Sequence, residues 1–294
     1  MKAAPTRSWI LLAALICIAP AFGGTDLDAL PPEPLSGSSS GPADELIGFL
    51  LFDPARIQDR LPPGLRLRTL AEKARDWPRL AAYLVDHPER RAWAWSIYEI
   101  IGIHAARYDS MPARFDDGRG GMAVWYPEVV AVGTADPRAL GGQNLAVGSW
   151  VSDHKLADYM RSRGFPARPA RVRFGWNETH ASGSLEADGL ALHGECRLEG
   201  APFVPWWGKD PHSFETMWTP AGEGDTFEVV TWAGHRSRRC VDAKWRVSGV
   251  HPFAQLFNDP KASDANFLPT EFAFGYLLNS GLYRRATAAS GGVP

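Results

Sequence analysis

The first sustained apolar run beyond the N-terminal region is LIGFLLF, Leu46 to Phe52. It predicts a strand, with order beginning at Glu45. Asp53-Pro54 follows as an N-cap with proline in the first helical position. A short helix is therefore expected over Ala55 to Leu61, ended by Pro62-Pro63-Gly64. From Thr69 to Asp86 the spacing is helical, with Leu70, Leu80, Tyr83 and Leu84 as inward positions and Pro78 as an interruption. After His87-Pro88 the period falls to two. The alternation predicts strands over Ala92 to Tyr108, Gly121 to Gly133, Asn144 to Ser152 and Arg171 to Trp176. A hairpin follows over His180 to Leu198, turning at Asp188-Gly189, with further strands over Phe227 to Trp232 and Cys240 to Val247. Helices are expected over His154 to Arg163 and, closing the chain, over Thr270 to Arg285, where Thr270-Glu271 opens after Pro269. No repeat, heptad run or break in composition interrupts this stretch. The reading is one mainly β domain (α+β) over 45–286, followed by a disordered tail over 287–294.

The flanking composition changes the picture of where this domain works. MKAAPTRSWILLAALICIAPAFGG has the parts of a cleavable export signal over 1–24. Lys2 and Arg7 give a positive start, Trp9 to Ala19 an apolar run, and Ala21-Phe22-Gly23 a small-residue cleavage pattern. The apolar run is shorter than the roughly 20 residues a bilayer span needs, so an uncleaved anchor is the weaker alternative. Residues 25–44 are rich in Pro, Gly and Ser without an apolar period and read as a flexible leader. A secreted or periplasmic location follows, with no membrane association after cleavage. The formal net charge of −2 offers no basic excess for a nucleic-acid partner. Two cysteines remain after the signal, Cys196 and Cys240. In an oxidising compartment they are either one disulfide or two buried thiols, and sequence alone leaves both open.

Candidate chemistry concentrates on the strand that begins at Ala92. Trp93, Trp95, Ile97, Glu99, Ile101 and Ile103 share one face, because alternate residues point the same way. Five are large and apolar, which makes this the buried face. Glu99 stands among them, and a buried carboxylate must be paired, protonated or lining a pocket. Burial would raise its pKa and suit it to general acid or base work, whereas an arginine partner would make it structural. The chain has no P-loop, H-E-x-x-H or paired C-x-x-C. Gly118, Gly120 and Gly121 follow a charged loop and do not make a nucleotide fingerprint. The predicted hairpin would let His180 and His193 approach one another, but no third ligand is evident, so neither a metal nor a cofactor is called for. Asn177-Glu178-Thr179 matches a glycosylation acceptor, relevant only in a eukaryotic secretory pathway.

Taken in order, several short motifs resemble the acetoacetate decarboxylase family over nearly all of Glu45 to Arg285. Arg56 to Leu65 is similar to the family's early helix with its Leu-Pro-x-Gly-Leu turn, and Ser96-Ile97-Tyr98-Glu99 to its Tyr-x-Glu strand. Leu145 to Arg168 resembles the strand, helix and Gly-Phe-Pro-Lys segment without a gap. His251 to Tyr283, with Leu256-Phe257 and Phe267-Leu268-Pro269-Thr270-Glu271, resembles the family's closing strand, turn and final helix. The resemblance implies an antiparallel, cone-like β-barrel around an apolar pocket, with peripheral helices. It also carries over Glu99 as the pocket glutamate.

The sequence departs from the family at the reactive lysine. That position holds Ala167, and the next family lysine is replaced by Arg168. A Schiff base needs a neutral primary amine, which neither alanine nor a permanently protonated guanidinium supplies. A relocated amine would have to come from Lys155, Lys209, Lys244 or Lys261, of which Lys244 on a late strand is the best placed.

The expectation is an exported barrel that binds a small, partly apolar keto or carboxylic acid. Glu99 and Arg168 would be the polar contacts, and Tyr98, Trp93, Trp95 and Ala167 the lining. The alternatives are an enzyme that uses Glu99 as acid or base, a decarboxylase with a relocated lysine, or a structural barrel filled by its own side chains. A homo-oligomer stays open.

Overall fold

The computed structural model describes residues 33–39, 41–104, 107–108, 111–112, 120–132, 142–205, 212–223 and 226–284. The signal-like segment, residues 25–32 of the leader and the 287–294 tail lie outside them. The described strands are β1 (Glu33–Ser39), β2 (Gly41–Phe52), β3 (Leu65–Leu67), β4 (Ala94–Ile103), β5 (Arg107–Tyr108), β6 (Met111–Pro112), β7 (Gly120–Pro127), β8 (Val129–Ala131) and β9 (Gly142–Leu145). They continue as β10 (Gly148–Val151), β11 (Arg168–Pro169), β12 (Arg171–Trp176), β13 (His180–Ala187), β14 (Leu190–Phe203), β15 (His212–Trp218), β16 (Thr226–Gly249), β17 (Ser263–Asp264) and β18 (Glu271–Arg284). Four short helices accompany them: α1 (Leu70–Lys73), α2 (Pro78–Asp86), α3 (His154–Ser162) and α4 (Pro252–Phe257).

One large sheet runs in the order β11-β10-β7-β4-β2-β18-β16-β14-β13-β12, and β15 branches from β16 to reach β9. It curls on both of its faces. On one side β15 and β9 return to β7 through a bridge between Glu128 and Asn144. This lobe encloses Ile101, Val124, Tyr126, Met217, Phe165 and Ala167, with Leu156 and Met160 of α3. On the other side β12 to β14 fold back over β4 and β7. Glycines permit that approach: a Cβ on Gly121 would lie 2.7 Å from Val172 Cβ, and one on Gly183 2.8 Å from Ile100 Cγ2. The second lobe holds Tyr98, Ile100, Trp125, Val172, Leu185, Leu192 and Phe253. The strands β2, β4 and β7 form the wall between the two lobes.

This arrangement revises several expectations. β4 is buried on both faces, not one, because each face looks into a different lobe. The sheet is mixed and not purely antiparallel, since β10–β11 and β9–β15 pair in parallel. The expected closing helix is strand β18. Thr270-Glu271 is a helix-opening pattern, but β18 hydrogen-bonds to β16 on one side and β2 on the other, and that pairing outweighs the local signal. Strand structure already begins at Glu33, within the supposed leader, as β1 pairs with the far end of β18. The expected helix after Asp53 is two single 3-10 turns. Asp53 caps the first by accepting from Ala55 N at 3.0 Å, then Ile57 leaves helical geometry (φ −137°) to bury its side chain. The two late strands are one, β16, which also continues through the arginine-rich 236–239 segment. α4 and β15 carry no clear period and were not foreseen.

Other expectations hold. The helical stretch from Thr69 to Asp86 is interrupted at Pro78: α1 opens on a capping box of Thr69 and Glu72, and Pro78 starts α2 at its first position. The hairpin turns at Asp188-Gly189, with Ala187 opposite Leu190. Of the two states left open for Cys196 and Cys240, the structure has the disulfide, between β14 and β16, with Cα atoms 5.5 Å apart.

Candidate functional site

The register of the wall places its polar residues. Directly opposite residues in adjacent strands share a face. Across β10, β7, β4 and β2 one such row runs Ser149, Val124, Glu99, Ile47. Two positions along, the next row runs Val151, Met122, Ile101, Glu45 and continues through Ala273 of β18 to Ser237 of β16. Glu99, Glu45, Ser149 and Ser237 therefore stand on the same face, all buried. Tyr126, on the same side of β7, donates its hydroxyl to Glu99 Oε1. His235 enters from a bulged part of β16 and puts Nε2 3.7 Å from Glu45 Oε1. Burial pulls the His235 pKa down to about 4, so the ring is neutral at neutral pH despite the nearby carboxylate.

Two groups on this face are unusual. The hydroxyls of Ser149 and Ser237 are buried and have no hydrogen-bond partner among the described residues. Such groups are uncommon, because a buried hydroxyl without a partner loses its hydration uncompensated.

The residues expected at the site divide. Glu99 and Ala167 belong to the same lobe. Ala167 is fully buried within its apolar lining, one step before Arg168, which pairs opposite Trp150 in the row next to Ser149's. Arg168 is turned away by the same alternation. It pairs opposite Trp150, its side chain is 44% exposed, and its guanidinium lies 3.8 Å from Glu223, which also takes Arg60. Tyr98 faces the other lobe, against Trp245 and Phe253. Trp95 is on Glu99's side, but under α1 and α2, stacked on Phe49 and donating its indole N–H to Glu128. Trp93 is half-buried with the Arg90 guanidinium 4.6 Å from its ring.

Lysines were the other candidates. Lys155, Lys244 and Lys261 are exposed, and Lys209 lies outside the described residues. The one largely buried amine among the described residues is Lys73, its side chain 12% exposed, which sequence reasoning passed over. Its Nζ is 2.6 Å from Glu128 Oε2 and 3.8 Å from the Trp95 ring centroid. Burial lowers its pKa against the pull of Glu128. Burial also pushes Glu128 up, but Lys73 and Arg68 outweigh it and hold that carboxylate ionised. This amine is committed to an ion-pair network beneath α1. Among the described residues no three His, Cys, Asp or Glu side chains converge as metal ligands.

Sequence reasoning found Glu99 but missed Glu45, Tyr126, Ser149, His235 and Ser237. Glu45 offered a signal, since it heads an apolar strand. His235 and Ser237 sit in GHRSRR, where the exposed arginines conceal them.

No family model and no curated protein matches the chain. Among solved structures, an acetoacetate decarboxylase-like enzyme from Sphingomonas wittichii RW1 is similar at 14% identity and a TM-score of 0.51. That match covers 86% of this chain and 93% of the other. Acetoacetate decarboxylase from Legionella pneumophila is similar at 13% identity and a TM-score of 0.52, over 92% and 93%. Such identities speak to architecture alone. With its curled sheet and near full-length superposition on these two structures, this chain has the acetoacetate decarboxylase-like fold.

Proposed function

We propose that the protein binds a small, partly apolar keto or carboxylic acid on the Glu99 face of the first lobe, without Schiff-base decarboxylation. The observation that carries this reading is the pair of buried hydroxyls, Ser149 and Ser237, without a hydrogen-bond partner among the described residues, on one face with Glu99 and Glu45. A ligand oxygen would supply the missing partners, and the apolar lining around Ala167 would take its hydrocarbon part. The methyl of Ala167 stands where the family resemblance puts the reactive amine. Export is part of the proposal, supported by the N-terminal signal pattern and the Cys196–Cys240 disulfide.

Calorimetric titration of the mature protein with small keto acids tests this. Ser237→Ala should raise the melting temperature, since it removes an unsatisfied group, yet weaken ligand binding several-fold. Glu99→Gln should also weaken binding. Affinity unchanged in both variants, or no binding by any member of the panel, would sink the proposal. Borohydride treatment with acetoacetate should leave the protein mass unchanged, and a trapped adduct would restore Schiff-base chemistry.

The Tyr126 hydroxyl on Glu99 supports a second reading, in which Glu99 moves a proton on a bound keto or hydroxy acid. Turnover of a panel member, seen by NMR and lost in Glu99→Gln, would favour it.

A further inference from the structure

The second lobe opens at its end onto a groove of about 880 Å³, between the C-terminal half of β16 and the segment from α4 to Thr270. Trp245, Phe257, Leu268 and Pro269 give it apolar walls. At its inner end lies Tyr98, only 1% exposed, with its ring held edge-on against Trp245 at 4.8 Å and Phe257 at 5.6 Å. The tyrosine hydroxyl lies over Gly48, which has no side chain to meet it. Among the described residues nothing hydrogen-bonds to that hydroxyl. The neighbouring polar groups are already engaged: Trp245 Nε1 donates to Thr270 Oγ1 at 2.8 Å, and Asn258 Nδ2 to the carbonyls of Val247 and Ala254.

The outer end carries two arginines. Arg90 is bound to Asp264 at 2.8 Å. Arg79 is exposed, donates one N–H to the Phe267 carbonyl at 3.2 Å, and meets no carboxylate among the described residues. The groove thus has a lone hydroxyl at its base, flat apolar walls, and a guanidinium with donors to spare at its rim.

We infer that this groove is a second ligand site, distinct from the Glu99 face, for a hydroxylated aromatic carboxylic acid. The ring would lie between Trp245 and the Leu268-Pro269 wall, the ligand hydroxyl would bond Tyr98, and the carboxylate would meet Arg79. Aromatic walls favour a planar ring, and a guanidinium favours a carboxylate. The site needs none of the residues of the proposed function.

The test is calorimetric titration of the mature protein with 4-hydroxycinnamate. Tyr98→Phe keeps the ring and removes only the hydroxyl, and should weaken binding about three- to tenfold. Arg79→Gln, at the exposed rim, should weaken it about tenfold. Cinnamate, lacking the hydroxyl, should bind wild type and Tyr98→Phe equally, and Glu99→Gln should bind 4-hydroxycinnamate like wild type. Absence of binding at millimolar ligand would overturn the inference. So would affinity unmoved by Tyr98→Phe and Arg79→Gln. Loss of binding in Glu99→Gln alone would place the acid in the other lobe and equally overturn it.

Discussion

Acidification should weaken this fold through His235 well before strong acid protonates its carboxylates. The imidazole is buried, and its folded-state pKa is depressed to about 4 from the ordinary 6.5. Glu45, 3.7 Å away, favours the charged ring, but the loss of hydration outweighs that attraction. In the unfolded chain the ring takes up a proton below about pH 6.5, while the native protein does not until about pH 4. The stabilisation is therefore whole above that window and lost as pH falls through it. Linkage gives a loss of about 2 kcal/mol by pH 5 and about 3 kcal/mol by pH 4. Urea unfolding with the disulfide intact, at pH 7, 6, 5 and 4, measures this as the difference in pH dependence between wild type and His235→Gln. The variant should lack this share of the acid sensitivity, whatever its stability at neutral pH. Parallel pH profiles for the two proteins, or an NMR titration placing folded His235 near 6.5, would refute the reasoning.

Two further outcomes follow from the packing. Gly121→Ala brings a methyl to 2.7 Å from Val172 Cβ and 2.9 Å from the Val172 carbonyl oxygen, where the backbone cannot swing aside. A loss of about 1–3 kcal/mol is expected in thermal or urea unfolding, and an unchanged midpoint would show that β12 does not close on β7 as described. Cys196 and Cys240 are 44 residues apart, so opening the bridge with Cys196→Ala/Cys240→Ala should cost about 4 kcal/mol by loop entropy. Equal stability of the oxidised protein and this variant would count against the bridge.

Much of this was legible in the sequence because local physics and global packing agree. The hairpin at Asp188-Gly189, the helical stretch from Thr69 and helix α3 all arise from residues within a few positions of one another. Errors arose where distant pairing decided. Thr270-Glu271 looks like a helix start, but β2 and β16 present unpaired edges to it. Glu99 was legible because a charge within a run of isoleucines and tryptophans needs an explanation. Its neighbour Tyr98 was assigned to the same pocket, because the alternation of β4 shows two apolar faces and does not say that they belong to different interiors. Arg168 fell to the same rule from the other side: one residue beyond Ala167 in an extended strand is a reversal of direction. His235 and Ser237 were hidden because a bulge in β16 turns them inward among arginines that face water.

The wall formed by β2, β4 and β7 is a partition with two furnished sides, and consecutive letters of the sequence furnish opposite rooms. Glu99 can change without repainting the Tyr98 side, so the two chambers are free to drift toward different tasks. The same economy makes the wall intolerant of insertion. One residue added to β4 would exchange the contents of both rooms at once, sending the carboxylate into the aromatic lobe and the tyrosine among the acids. Diversity in this architecture should therefore come by substitution along the wall and by lengthening of the loops beyond it, with the wall strands themselves held to a fixed count.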